Sequence, residues 1–320
     1  RIYVNRTMRC RMSVSSGWKL FAASILFGAI GTFSALLRNA GVSSLVQTSF
    51  RTIGTTLALL VYFVAIRKKP ANPGKHVLYF LSYGLFAFVG MFIGYTSSVA
   101  LGTPVAITTL LVNLQPVYVL IMAAALLKEK VDAFKVVPVI ISLAGVVILV
   151  GGWNTQGGFL LAGVLFAVMN GLCYAIYLYM TKVLRAGSGM EPMDILFWGY
   201  VAASAAMPFV LALMPLAIKD PALTSLSFSL TLPTVLYLTG LTLGCTLLPY
   251  LLITQSLGKV ELSKASLSLV LEPVSAIIIS AVVLGEPIYA YHLAGGCLIL
   301  LAVILVNTPK EKLLRMMGRR

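Results

Sequence analysis

The sequence predicts an all-α membrane protein, with ten transmembrane helices in two inverted five-helix repeats around a central cavity. Three observations predict it. Hydrophobic residues make up 59% of the 320-residue chain and Asp, Glu, Lys and Arg only 10%, against about 25% charged in soluble domains. Ten apolar runs follow one another with short connectors, each long enough for the roughly 20 residues that cross a bilayer. A stretch near the C-terminus also rewrites one from the first half.

The later copy runs from Leu269 to Pro287 and carries Glu272 within its apolar run, followed at once by Pro273. The earlier copy runs from Val112 to Lys130 and carries Gln115 and Pro116. A shift of 157 residues superposes them without a gap and gives nine identities in the 24 positions from Leu110 to Ala133. Average residue usage would give about two or three. A repeat at fixed spacing is a statement about architecture.

Residues 1–17 are a basic N-terminal segment, with Met8 and Met12 as candidate starts. A basic stretch before an apolar run also resembles a signal peptide. The nine further spans make an uncleaved first helix the better reading. The spans are predicted at 18–37, 43–66, 77–101, 104–127, 133–152, 158–183, 193–218, 231–257, 262–284 and 288–307. In hydrocarbon each must satisfy its own backbone, hence helices. Breaks fall at Asn39 and Gly41, Pro70 to Gly74, Gly102 to Pro104, Gly151 to Gly158, Gly187 to Pro192, and Pro287. The chain thus divides into a first repeat at 18–152, a second at 158–307 and a basic tail at 308–320.

With the N-terminus inside, 21 of the 24 Lys and Arg fall in cytoplasmic segments. Arg38 and Lys219 fall outside, and Arg51 lies within the second span. Positive residues stay inside, so both termini are expected to be cytoplasmic, in an inner or plasma membrane. The net charge of +15 is then a topology signal. Charges scattered over six segments form no nucleic-acid groove. Five spans per repeat is an odd number, so the second copy enters the membrane the other way up. Inverted pairs let one site face either side by rocking.

The doubled Glu/Gln-Pro segment, ending in Lys128-Glu129 in one copy and Gly285-Glu286 in the other, resembles the EamA-type branch of the drug/metabolite transporter superfamily. The likeness covers about residues 18–307. It implies a basket of two inverted halves, with spans one, three, four, six, eight and nine lining a cavity and spans five and ten outside. Gln115 and Lys128 depart from the family's acidic residue and glycine, so only the second half supplies a titratable group from this motif.

Helical spacing groups the polar residues independently. Ser268, Glu272 and Ser275 share a face of span nine, and Thr108 and Gln115 one of span four. Asn170, Tyr174 and Tyr177 line span six, with Thr181 a turn on. Thr239, Thr242, Thr246 and Tyr250 line span eight. A polar stripe toward lipid would leave side chains unpaired, so a shared polar interior is expected. Candidate substrate-binding residues are Asn113, Gln115, Asn170, Tyr174, Tyr177, Tyr250, Ser268, Glu272 and Ser275. For Ser and Thr, bonding to the i−4 carbonyl is an equal alternative. Pro116 and Pro273 free the carbonyls of Val112 and Leu269 and are read either as gating points or as static kinks. Glu272 has two readings, proton coupling or a neutral packing group bonded to Ser268 or Ser275. Arg51 sits roughly 12 Å deep at 1.5 Å per residue. Its expected fate is snorkelling or pairing with helix-end carbonyls. The small-residue run Gly90, Gly94 and Ser98 is a close-packing face, and Glu129 and Glu286 are caps or ion-pair partners.

No metal or cofactor motif is visible. His76 and His292 lie at opposite ends of the membrane, and there is no phosphate loop or nucleophile elbow. Channel filters are likewise missing. The expected function is secondary transport of a small molecule, not enzymatic: export of metabolites such as amino acids by alternating access, with protons as a second partner. Alternatives are a cation or multidrug exporter, or a uniporter. The bilayer is the other partner, and the expected state is a monomer or weak homodimer. Cysteines introduced at Asn72 and Asn154 are expected to react with an impermeant thiol reagent from opposite sides, Asn154 from outside. Labelling of both from one side would contradict the inverted topology.

Overall fold

The computed structural model of the protein describes residues 14–101, 103, 105–149, 161–285 and 288–308. The tail from 309, Asn154, Glu286 and Pro287 lie outside them. The described residues form helices and short connectors, without a strand. The first three spans are α1 (Val14–Asn39), α2 (Ser44–Ala65) and α3 (Gly74–Ala100). Then α4 comes in two pieces, Val105–Val112 and Gln115–Leu127, and α5 is Ala133–Leu149. The second half follows as α6 (Leu161–Gly187), α7 (Pro192–Ala217) and α8 (Leu232–Leu257). Next, α9 runs as Leu262–Ser268, a 3₁₀ turn at Leu269–Leu271 and Glu272–Leu284, and α10 is Ala290–Asn307. Among the described residues eight helical spans, the interrupted α9 included, are long and apolar enough to cross a membrane. The other two are the broken α4 and the 17-residue α5. Against the expected bounds, α1 begins at Val14, four residues early, because nothing in Val14–Ser16 breaks a helix.

The ends follow local chemistry. At the end of α1, Gly41 has φ +77° and the Val42 N–H reaches back to the Leu37 carbonyl at 2.9 Å. This bond and the left-handed glycine satisfy carbonyls that the last turn leaves open. Helix α2 starts on Ser43, whose hydroxyl accepts from the Val46 N–H. Large apolar side chains such as Leu57, Val61, Val64, Leu78 and Phe86 are exposed around the rim. Many Ser and Thr, among them Ser24, Thr48, Thr96, Thr108 and Thr246, are buried. Apolar outside and polar inside suits a bundle in lipid, where polar groups must find partners within the protein.

The 157-residue repeat is visible in the backbone. A π-helical stretch occupies Tyr83–Gly90 of α3, and the shift carries it onto the π-helical stretch Gly240–Leu247 of α8. The turn that divides α4 at residues 113–114 falls on the 3₁₀ turn of α9. Pro116 and Pro273 then stand in the first turn of the new helices, where a missing N–H costs nothing. They start helices and do not kink continuous ones.

Glycines set how closely the helices approach. A Cβ on Gly28 of α1 would meet the Ala276 nitrogen of α9 at 2.7 Å, and one on Gly171 of α6 the Leu111 and Val112 carbonyls of α4 at 3.0 and 3.1 Å. The repeat relates the two helix pairs, α1 with α9 and α6 with α4, and the carbonyl freed by Pro116 lies against α6. Gly94 brings α3 onto Phe166 and Asn170 of α6, and Gly90 onto Cys173. That agrees with the packing face read from their spacing. Helices α5 and α10 pack on each other through Gly145, Gly295 and Ile299, and with α9 they bury a separate apolar cluster around Val146, Leu271 and Ile299.

Both motif helices end left-handed, α4 at Lys128 (φ +54°) and α9 at Gly285 (φ +70°). Glycine takes this conformation freely, whereas lysine is strained by about 1 kcal/mol. Lys128→Gly is expected to stabilise the protein by about that amount in thermal unfolding, and Gly285→Ala to destabilise it similarly, although an added Cβ meets nothing within 4 Å. A destabilised Lys128→Gly would show that contacts of the lysine outweigh the strain.

Candidate functional site

A small cavity lies at the junction of the two halves. Its walls are Phe27 and Ile30 of α1, Arg51 of α2, Met91, Phe92 and Tyr95 of α3, and Val112 of α4. Asn170 and Tyr174 of α6, Tyr250 of α8 and Glu272 of α9 complete it. All six helices expected to line a cavity contribute, and so does α2. An Arg51 that faces the cavity departs from the outward snorkelling expected of it.

Arg51 is 2% exposed and stands on a π-helical turn, Phe50–Gly54. The widened turn rotates its side chain inward. Its guanidinium lies 3.8 Å over the Phe92 ring, a cation–π contact. Its Nε donates to the Thr246 hydroxyl at 2.9 Å. That hydroxyl donates to the Leu241 carbonyl at 2.8 Å, and Thr242 donates to the Phe50 carbonyl at 3.3 Å. The threonine stripe of α8 therefore holds the arginine-bearing turn of α2. Among the described residues no protein group accepts from Nη1 or Nη2.

Glu272 begins the last piece of α9. It is half-buried, and Arg51, Tyr95, Tyr174 and Tyr250 are its electrostatic neighbours. Arg51 and Glu272 do not approach within ion-pair distance: the ion pairs among the described residues are all elsewhere.

Asn170 and Tyr174 share the cavity with Glu272 and Tyr250. The Asn170 amide donates to the Met91 carbonyl. The Tyr174 hydroxyl is buried without a partner among the described residues, and that of Tyr250 reaches the Met91 sulfur at 3.6 Å. The remaining candidates lie off the cavity wall, each for a local reason. Asn113 donates back to the Thr109 carbonyl at 2.8 Å. Gln115 is 1% exposed and bridges to the Ser266 carbonyl of α9 at 3.0 Å. Ser268 donates to Lys264 and accepts from Asn307 of α10. Ser275 bonds to the Leu271 carbonyl where α9 meets Gly28. The stripe of span nine thus divides, with only Glu272 turned inward. Tyr177 sits one turn deeper and is fully buried, its hydroxyl 3.4 Å from the Tyr250 carbonyl and 3.5 Å from Thr254.

Below the cavity, toward the end that carries the basic connectors, lies an aromatic layer. Phe88 stacks on Tyr200 with centroids 4.2 Å apart, and Tyr177 meets Tyr250 edge-on at 4.9 Å. The Tyr83 hydroxyl bonds Thr181 at 2.7 Å. Beyond this layer Glu129 clasps the halves together. Its carboxylate accepts from the Leu262 N–H at 3.1 Å and from the Ser263 hydroxyl at 2.8 Å, both at the start of α9. Lys135 joins Glu129 at 3.2 Å and Glu261 at 3.3 Å. Burial alone would raise the Glu129 pKa. Lys135 and the two hydrogen bonds outweigh it and hold the carboxyl below the ordinary glutamate range.

A family model described as "EamA-like transporter family" matches residues 17–151 and again residues 161–308. The chain belongs to the EamA-like transporter family. This EamA-like protein is therefore an integral membrane protein of a transporter family. It is 26% identical, over 285 residues, to an "Uncharacterized transporter" of Archaeoglobus fulgidus, spanning 88% of this chain and 94% of that one. It is also 26% identical, over 247 residues, to a "Probable amino-acid metabolite efflux pump" of Salmonella typhimurium, spanning 76% and 80%. A solved crystal structure shares its fold with a TM-score of 0.74 at 17% identity, over 95% of this chain and 98% of that one.

Gln115→Ala is expected to lower stability by about 1–3 kcal/mol, the usual cost of an orphaned buried carbonyl, and to leave ligand affinity in the folded protein unchanged. Tyr174→Phe should leave stability nearly unchanged, because its hydroxyl has no partner among the described residues. Thermal unfolding with and without ligand measures both. Lost affinity at normal stability for Gln115→Ala would return it to the binding site.

Proposed function

We propose that this protein is a secondary transporter that exports small metabolites such as amino acids by alternating access, exchanging them for protons. The observation that carries the proposal is a cavity shared by the two inverted halves, with an ionisable carboxylate on its wall. Glu272 is reached by substrate from the cavity and has no fixed ion-pair partner among the described residues. It can hold a proton when the cavity faces one side and release it on the other. The aromatic layer and the Glu129 clasp close the basic end in this conformation, which is the cytoplasmic end by the positive-inside rule. They part when the halves rock. The membrane is then the inner or plasma membrane, with both termini cytoplasmic. Export of amino acids, as a substrate and a direction, is supported by the likeness to the Salmonella relative, a probable amino-acid metabolite efflux pump.

An organic cation is the second reading, because Glu272 and the aromatic faces of Phe27, Phe92, Tyr174 and Tyr250 would suit one. Arg51 on the same cavity opposes it.

Glu272→Gln keeps the shape and hydrogen bonding of the side chain and removes its titration. In proteoliposomes the variant should still exchange labelled amino acid across the membrane. Accumulation driven by a pH gradient should fall at least tenfold. Gradient-driven accumulation at the unaltered rate would rule out the coupling role and leave a uniporter.

A further inference from the structure

We infer that the cavity selects zwitterions, with Arg51 anchoring a substrate carboxylate and Glu272 its ammonium group. This rests on the transport reading above and narrows its substrate class. Arg51 is 2% exposed and faces the cavity. A buried charge is costly unless paired, yet its protein contacts satisfy only part of the guanidinium. Nε is taken by Thr246 and one face by Phe92. Among the described residues the two Nη groups have no acceptor. That leaves the end of a planar fork, pre-set in direction, which is the geometry that grips a carboxylate through two parallel hydrogen bonds.

Glu272 presents the complementary charge. Its carboxylate faces the same cavity, and among the described residues no hydrogen-bond donor reaches it. Arg51 and Glu272 influence each other electrostatically but form no ion pair. Two opposite charges held apart on one cavity would each stay uncompensated with a ligand of single charge. A simple anion satisfies Arg51 and leaves Glu272 bare. A simple cation does the reverse and meets Arg51 as well. A molecule with both a carboxylate and an ammonium satisfies the two together. The same cavity is also lined by Phe27, Ile30 and Phe92, which are apolar and suit an apolar side chain.

Three probes of one shape separate the charges: L-phenylalanine, phenylalaninamide without the carboxylate, and 3-phenylpropionate without the ammonium. Binding is read from ligand-dependent thermal stabilisation of the purified protein, which rises with ligand concentration over Kd. The wild-type protein is expected to bind phenylalanine at least tenfold more tightly than either analogue. Arg51→Gln should erase the difference between phenylalanine and its amide. Glu272→Gln should erase that between phenylalanine and 3-phenylpropionate. The wild-type comparison needs no variant, so a misfolded variant does not remove the test. Equal binding of phenylalanine and its amide to the wild-type protein would overturn the role of Arg51 while leaving amino-acid transport standing. Failure of all twenty amino acids to stabilise the protein or to exchange in vesicles would sink the transport reading and this inference with it.

Discussion

Two side chains of opposite charge face one cavity and do not touch, and much of the surrounding structure serves to keep them so. Left free, Arg51 and Glu272 would gain by closing into an ion pair inside a medium of low dielectric. Arg51 is restrained by the π-helical turn beneath it, by the Phe92 ring and by Thr246. Glu272 is restrained by the 3₁₀ turn and Pro273, which restart α9 at that residue. The interior threonines and tyrosines are explained by the same constraint, since a charged cavity in lipid needs a polar lining that bonds within the bundle.

The inverted repeat supplies a frame that the charges then break. The π-helical stretches of α3 and α8 and the interruptions of α4 and α9 obey one shift of 157 residues. The charges do not. The counterpart of Glu272 is Gln115, which ties α4 to the Ser266 carbonyl, and α7, the helix that corresponds to α2, carries no Lys or Arg. One half contributes the cation and the other the anion. Any rocking of the halves must therefore alter the distance between them, and a ligand that bridges both charges senses the state of the bundle. Glu129 works across the same seam at the basic end, where its carboxylate caps the start of α9.

Much of this was legible in the residues. Hydropathy and the repeat carry the ten spans and their pairing, because lipid imposes one solution on an apolar segment and a gap-free repeat imposes its register. The stripe of α6 puts Asn170 and Tyr174 on one face, and both line the cavity. Other residues escaped because periodicity names a face of a helix and not its neighbour. Ser268 and Ser275 share a face with Glu272, yet α10 and α1 cover them. Gln115 looked like the functional twin of Glu272, and its amide is spent on the helix opposite. Arg51 was visible as a lone cation in an apolar run. Its inward direction depends on a π-helical turn, which spacing at 3.6 residues per turn does not reveal. The signal that could have placed it is the threonine series of α8, whose hydroxyls face the α2 turn.

The central claim is that the separated charges are bridged by substrate. An experimental map of the protein soaked with saturating L-phenylalanine tests it most directly. The expected result is a carboxylate within hydrogen-bond distance of the Arg51 Nη atoms and an ammonium at Glu272, with the ring against Phe27 and Phe92. A map in which Arg51 and Glu272 close on each other while the amino acid binds elsewhere would contradict it.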